Sequence, residues 1–562
     1  MNDFNVCVIG SGAGGGPVAL TLAEAGHSVV VLEKGPWFSE DDFFKDELAH
    51  RLRRVYKPEL RDEQHVLEDY AGRDKNGKAK WKSNATSESK RDYWAGNCVG
   101  GATNFMSGFF YRMKPVDFRL LSEFGPIKGA NIVDWPIDYQ ELEPYYTKVE
   151  QEVGVSGRVI QHPRAEPRST ADFPYPPTQE HSVCRLFDDL CHKMKLHPLP
   201  TPRAILPHRV GQRGGCEYSG YCGEYGCATG AKGSSRAALL ARAIATGRCE
   251  IRPHAKVYKL ISTRNGRVEA AEYFDATGKV LKVTANIFVV ACNAIETSRL
   301  LLSSPGPGHT KGLGNNQDQV GKNFIFSTGG TGLGELRFDK INAQTTDLLK
   351  RRGPFVNRGL QDWYVINESK LGGRVKGGTI DFLIRHPDPI ARAGSVITEN
   401  NQLLWGTPLK ERLKSAFTES IHLVFEVFSD WLPNNDCFVS LDPTVKDKWG
   451  IPVARLRTGY LRHSLKVAEY LAERGTEVLK GLGAENLQSR ITGIPPANLV
   501  GGGCRFGKDP RDSVLDSNCR VHDTNNLYVT DGSFLPTGGS APFTWTIYAN
   551  AFRVADRIKS LF

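Results

Sequence analysis

The first residues able to do chemistry are glycines. Gly10, Gly12 and Gly15 stand at the spacing G-x-G-x-x-G within Gly10-Ser11-Gly12-Ala13-Gly14-Gly15-Gly16. The apolar run Asn5 to Ile9 before them predicts a strand. The Ala- and Leu-rich run Pro17 to Ala25 predicts a helix, and Ser28 to Leu32 a second strand closed by Glu33. In that setting Gly10 permits the tight turn, Gly12 lets the backbone approach a pyrophosphate at the helix N-terminus, and Gly15 lets helix and strand pack closely. Glu33, 18 residues after Gly15, is placed to accept hydrogen bonds from ribose hydroxyls. Residues 1–35 therefore predict a dinucleotide-binding βαβ unit. The motif alone fits FAD and NAD equally.

A second group is sulfur. Cys216, Cys222 and Cys227 fall at the spacing C-x5-C-x4-C among glycines, which let a loop wrap tightly enough to aim several sulfurs at one centre. The rest of the 12 cysteines are scattered, well below the density of a disulfide scaffold. Structural zinc takes four Cys or His ligands, and no fourth is local. The spacing is open to an iron–sulfur cluster, a zinc site completed by a distant histidine, or three reduced thiols.

The chain that must position these groups has 562 residues and a formal net charge of +10. That length predicts two to four structural units, and 40% hydrophobic residues are enough for a large core. No basic stripe interleaved with aromatics points to nucleic acid. No apolar run reaches the ~18–20 residues that span a bilayer, and no leader precedes the first strand, so any export would depend on a signal-bearing partner. The Pro-, Arg- and His-rich stretch 155–210 predicts an extended connector, and Trp405, Trp431 and Trp545 are candidates for stacking on a sugar or for the core.

Four motifs in order resemble the glucose–methanol–choline (GMC) oxidoreductase family. They are the N-terminal unit ending Leu32-Glu33-Lys34-Gly35, the run Gly96-Asn97-Cys98-Val99-Gly100-Gly101-Ala102-Thr103-Asn104, the run Val289-Val290-Ala291-Cys292-Asn293-Ala294-Ile295-Glu296-Thr297, and Asn526-Leu527-Tyr528-Val529-Thr530-Asp531-Gly532-Ser533 before a terminal helix. The third usually has glycine where Asn293 stands. The resemblance implies an α/β fold, with a Rossmann-like FAD-binding lobe and an antiparallel-sheet substrate lobe. It places Gly96, Gly100, Gly101 and Asn104 along the flavin, Val257 at the adenine, and Asp531 and Gly532 near the ribityl and pyrophosphate. Phe543 and Thr544 would present backbone amides to the pyrimidine end of the ring, where donors stabilise reduced flavin. The expected layout is a lid or insertion at 36–90, interleaved FAD-binding segments at 91–330 with the cysteine loop at 214–230, a substrate lobe at 331–490 and a C-terminal FAD and active-site segment at 491–562.

Within the family, Asp442-Pro443-Thr444-Val445-Lys446-Asp447-Lys448-Trp449-Gly450-Ile451-Pro452 resembles the large subunits of bacterial gluconate- and fructose-type dehydrogenases. That likeness implies a three-iron (3Fe-4S) cluster on Cys216, Cys222 and Cys227, although gluconate-type relatives carry a further cysteine where Ser219 stands. It also implies a small accessory subunit and a cytochrome c or quinone-linked acceptor. Periplasmic placement would come through the partner's signal, with the cytoplasm as the simpler alternative.

One feature departs from the family. A histidine beside flavin N5 normally removes the hydroxyl proton, but Leu499 falls there in an ungapped match and Asn498 after a one-residue insertion. A second His or Asn is replaced by Ala541, Pro542 or Phe543. Three readings follow: a base from elsewhere, such as His386, His422 or His463; a reductase or desaturase working on an activated C–C bond; or a non-catalytic electron-transfer subunit. The leading expectation is an FAD- and iron–sulfur-dependent dehydrogenase of a sugar, glycoside, polyol or related alcohol.

Overall fold

In a computed structural model, residues 2–48, 64–89, 93, 96–350, 356–384, 388–399, 401–496 and 498–562 are described. The run of β-branched residues in Phe4–Ile9 forms a strand buried on both faces, paired in parallel with Val29–Leu32 on one side and Val280–Val290 on the other. Cys249–Arg252 extends the sheet beyond Val29–Leu32, and Leu527–Val529 adds in parallel to Val280–Val290. The outer half of that long strand turns antiparallel with Val268–Phe274, which pairs with Lys256–Ser262. Helix Gly15–Glu24 and the terminal helix Thr544–Lys559 pack against this lobe, so the two ends of the chain meet in one core.

A second, antiparallel sheet is ordered Glu485–Ile491, Phe324–Arg337, Ser420–Trp431, Gly378–Ile384, Val356–Leu360 and Leu199–Pro200, with Val500–Gly502 pairing the start of Phe324–Arg337. Helix Arg462–Gly481 covers its outer face, where Phe425 and Val427 meet Val467, Leu471 and Val478. Alternation along a strand sends every second residue to the opposite face. His422, Val424, Glu426 and Phe428 therefore face inward, onto the cavity between the lobes. A smaller sheet pairs Val66–Arg73 and Ala79–Ala85 with Pro452–Thr458 and Cys437–Lys446, tying part of the expected 36–90 insertion to the substrate lobe. The expected boundary at 330 falls inside the strand Phe324–Arg337. The 155–210 connector contains a helix, Val183–Lys193, and the terminal helix starts at Thr544.

A buried charged knot joins the sheet to the start of the terminal helix. Lys376 Nζ lies 2.5 Å from Asp117, 3.0 Å from Asp430 and 2.9 Å from Ser540 Oγ, and Asp430 also accepts the Gly539 N–H at 2.9 Å. Breaking a buried pair strands its partner's charge. Lys376→Met leaves Asp117 and Asp430 without their cation and is expected to cost ~3–5 kcal/mol, read as a lower denaturant midpoint. An unchanged midpoint would show that the knot does not hold the lobes.

Candidate active site

A cavity of about 1120 Å³ runs between the lobes. It exceeds the ~300–1,000 Å³ of ordinary small-molecule pockets, leaving room for a dinucleotide and a substrate together. Gly10, Gly12, Glu33, Gly96, Gly101, Val257, Asp531, Gly532, Phe543, Thr544 and Asn498 all line it, whereas Gly100 and Asn104 lie behind its wall. Gly10 has φ +96° and its missing Cβ would sit 2.3 Å from the Ala291 carbonyl oxygen. At Gly15 a Cβ would meet the Gly10 carbonyl oxygen at 2.0 Å. At Gly12 a Cβ would meet nothing within 4 Å, because it would point into the cavity. Helix Gly15–Glu24 carries no acidic residue in its first turn, which leaves its positive end open to an anion.

Glu33 is buried at the end of the second strand and burial pushes its carboxyl above the usual range. Its Oε2 accepts from Ser11 N at 3.1 Å and Ser11 Oγ at 2.6 Å, and its Oε1 from Gly35 N at 3.0 Å. The second glycine segment is bolted to the first: Gly100 N donates to Ser11 Oγ at 2.9 Å. Asn104 turns its amide to the Val99 carbonyl at 2.9 Å, so its side chain shapes the loop. Asn293 adopts φ +82°, a conformation glycine favours, and its side chain caps helix Ala294–Leu302 through Ile295 N at 3.0 Å. Asp531, raised by burial, accepts from Ser533 N at 2.8 Å and from Thr297 Oγ1. Asp447, from the subgroup segment, holds Lys256 at 2.8 Å and Arg299 at 2.7 Å, both on the cavity wall.

At the reactive end Asn498 and Leu499 face the cavity, and Leu499 has φ +55°. Ser540 is buried at φ +49°. Non-glycine residues with positive φ store strain that the surroundings must hold. Leu499 is thus at or beside the position where the resemblance expects the first proton-handling residue, and Ser540 adjoins the second. Ala541 is buried, and Pro542 and Phe543 line the cavity without an acid–base group.

Of the candidate substitute bases, His422 and His463 do not fill the gap. Among the described residues His181 and His422 are the histidines on the wall, and His463 is not on it. His386 lies outside the described residues. Ser327 opposes Asp430 and its N–H donates to the Leu499 carbonyl at 3.3 Å. His422 is eight residues along the strand from Asp430, about 26 Å at ~3.3 Å per residue. A base must reach within ~3.2 Å of its proton. Trp431 and Trp545 are core, Trp405 is exposed, and none lines the cavity.

The cysteine loop encloses its own void of about 50 Å³, lined by Cys216, Cys222, Cys227, Lys45, Arg203 and Lys232. Gly220 lines both this void and the main cavity. Each sulfur takes a donor: Tyr218 N on Cys216 at 3.4 Å, Arg203 Nη2 on Cys222 at 3.2 Å, and Lys232 N on Cys227 at 3.4 Å. Lys232 Nζ donates to the carbonyls of Asn104, Cys222 and Tyr225 at 3.1, 2.9 and 2.8 Å, tying this loop to the second glycine segment. Three ligands on one tetrahedral zinc with ~2.3 Å bonds would lie under 4 Å apart. The described set of three whose ligand atoms lie within 4.8 Å of one another is instead His162, His197 and Asp362. There His162 Nδ1 accepts the Arg164 N–H at 2.9 Å, which leaves the proton on Nε2, and His197 Nδ1 meets Asp362 at 2.6 Å. With the proton on Nε2, His162 offers no free lone pair to a cation.

The sequence comparisons agree with this architecture. GMC oxidoreductase patterns match residues 206–327 and 433–551, and an FAD binding domain matches residues 5–41. The chain is 31% identical to a 2-methyl-1,2-propanediol dehydrogenase of Mycolicibacterium austroafricanum, covering 100% of this chain and 96% of the relative. It is 28% identical to a 6'''-hydroxyparomomycin C oxidase of Streptomyces lividus, covering 99% and 91%. It is also 28% identical to the fructose dehydrogenase large subunit of Gluconobacter japonicus, covering 82% and 80%. The formate oxidase of Aspergillus oryzae shares the fold, with a TM-score of 0.64 at 15% identity over 99% of this chain and 98% of that one. The chain belongs to the GMC oxidoreductase family and is an FAD-dependent oxidoreductase.

The glycines separate folding from binding. Gly10→Ala drives a Cβ into the Ala291 carbonyl and is expected to lower both thermal stability and flavin content. Gly12→Val meets open space, so a stable protein purified without flavin is the expected result. Full flavin occupancy in Gly12→Val would remove the pyrophosphate from this turn.

Proposed function

We propose that the protein is an FAD-dependent dehydrogenase that oxidises an alcohol, sugar, glycoside or polyol, and that its electrons leave through an iron–sulfur cluster on Cys216, Cys222 and Cys227. Gly12, Gly101, Asp531, Gly532, Phe543 and Thr544 would hold the flavin, which accepts a hydride when bound. Asn498 is a polar side chain on the wall and takes the family's base position when one residue is inserted, Leu499 taking it in an ungapped match. An amide can orient a hydroxyl but is a poor proton acceptor, so the proton passes to water. General-base help typically contributes ~10²–10⁴-fold, and the site works without it.

The observation that carries the cluster is a charge imbalance. Arg203 and Lys232 are 2% exposed, Lys45 is half-buried, and none makes an ion pair with a carboxylate among the described residues. The anionic groups acting on Lys232 are Cys222 and Cys227. Buried charges need partners, and three thiolates or an anionic cluster supply them. N–H donors on each sulfur are the contacts that tune such a cluster, and Gly220 brings its void against the main cavity. One-electron release from the cluster suits a cytochrome- or quinone-linked partner.

The alternative, reduction or desaturation of an activated C–C bond, is favoured by the absent histidine. Anaerobic assays with an artificial dye separate the two. Dye reduction by alcohols or sugars is expected, and turnover confined to enones or unsaturated acids would overturn the reading. Iron and sulfide should collapse in Cys222→Ser. Lys232→Met should lower the cluster's midpoint potential, because a nearby cation favours the reduced form. Full iron in Cys222→Ser would remove the cluster from this loop.

A further inference from the structure

One row of the substrate sheet carries acid without a counter-ion. Thr331, Glu426, Asp381 and Gly359 oppose one another directly across four strands. Cross-strand partners share a face with Cβ atoms ~4.5–5.5 Å apart, so the carboxyls of Glu426 and Asp381 are neighbours. Asp381 is fully buried: its Oδ1 accepts the Tyr111 hydroxyl at 2.5 Å and Thr201 Oγ1 at 3.3 Å, while its Oδ2 has no partner. Glu426 lines the cavity and makes no hydrogen bond or ion pair among the described residues. From the opposite wall it faces Glu224 of the cysteine loop, and Arg203 acts on Asp381. Burial, with the like charge beside each, pushes both acids up to about 7.

The sheet register gives the reach. Leu499 is level with Asp430, and Glu426 is four residues further along, about 13 Å at ~3.3 Å per residue. That is too far for Glu426 to take a proton from a hydroxyl held at Asn498 and Leu499. A substrate can span it.

We propose that Glu426 selects a substrate bearing an amine as well as the oxidised alcohol, its ammonium seated against Glu426 with Asp381 buried behind it. A buried carboxylate without a partner is costly. A cationic ligand supplies the missing charge, and a neutral polyol does not. The inference rests on the alcohol-oxidation reading above.

Anaerobic flavin reduction with matched pairs tests it: D-glucosamine against D-glucose, and streptamine against scyllo-inositol. The amine of each pair should half-saturate at a tenfold or more lower concentration. The advantage should grow as pH rises from 5.5 to 7.5, because Glu426 ionises across that window. Glu426→Gln should erase the difference between pair members, with flavin content confirming an intact fold, and Glu426→Asp should restore part of it. Equal use of both members, or an advantage unchanged in Glu426→Gln, would overturn the proposal. If no alcohol reduces the flavin, the alcohol-oxidation reading fails by itself. Flavin absorbance titration with the same pairs then decides the amine preference separately, and no preference there overturns the proposal.

Discussion

The structure depends on Ser11. Its N–H and hydroxyl both reach Glu33, its hydroxyl oxygen takes the Gly100 N–H, and its carbonyl takes the Ser235 hydroxyl at 2.7 Å. One residue inside the first glycine turn thus binds the second strand, the second glycine segment and the segment leading out of the cysteine loop. All of these contacts are buried, where a satisfied network is stiff and a broken one expensive. The glycines around Ser11 make this closure possible. Gly10 and Gly15 bring backbones together at distances no Cβ would permit.

The second organising element is the strand Ser420–Trp431, which separates two environments by alternation. Its odd face, with Phe425 and Val427, is closed by helix Arg462–Gly481 and does the folding. Its even face is open to the cavity and can carry residues that folding alone would reject. Asp430 spends its charge on Lys376 and the Gly539–Ser540 segment, so it is structural. Glu426, four residues away, has no such debt within the protein. The same strand therefore builds the reactive end and the distant wall, and its register sets the distance between them.

Much of the nucleotide end was legible in the sequence because its constraints are local. A turn that needs Gly10 at positive φ, a helix and a second acidic-capped strand follow one another within 35 residues. The resemblance added the second glycine segment, but not that Asn104 braces the loop from behind the cavity. Asn293 looked like an exception to a glycine motif, and its φ of +82° shows the backbone kept while the side chain took up capping. The substrate wall was harder to read. The alternation His422, Val424, Glu426, Phe428 contained a charged residue inside an apolar strand, which was the available signal. Its neighbour Asp381 is 45 residues earlier in the chain, so only the pairing of strands reveals the acid pair. His422 is excluded as a base for the same reason: its residue type was visible, but its distance from Leu499 is set by register.

Unbalanced charges of opposite sign lie around the cysteine void and along the substrate sheet. Around the cysteine void Lys45, Arg203 and Lys232 leave positive charge uncompensated, while Glu426 on the cavity wall and Asp381 buried beside it leave negative charge uncompensated. Folding alone would pair these groups, since leaving a charge buried and unpaired costs more than replacing both by apolar residues. Arg203 stands near enough to Asp381 to act on it, yet donates to the Ser107 carbonyl and to Cys222 Sγ. Arg203 thus gives its donors to a backbone carbonyl and a sulfur and makes no ion pair with Asp381. The cluster proposed for the cysteine void and the ammonium proposed at Glu426 would each supply the charge that its surroundings lack.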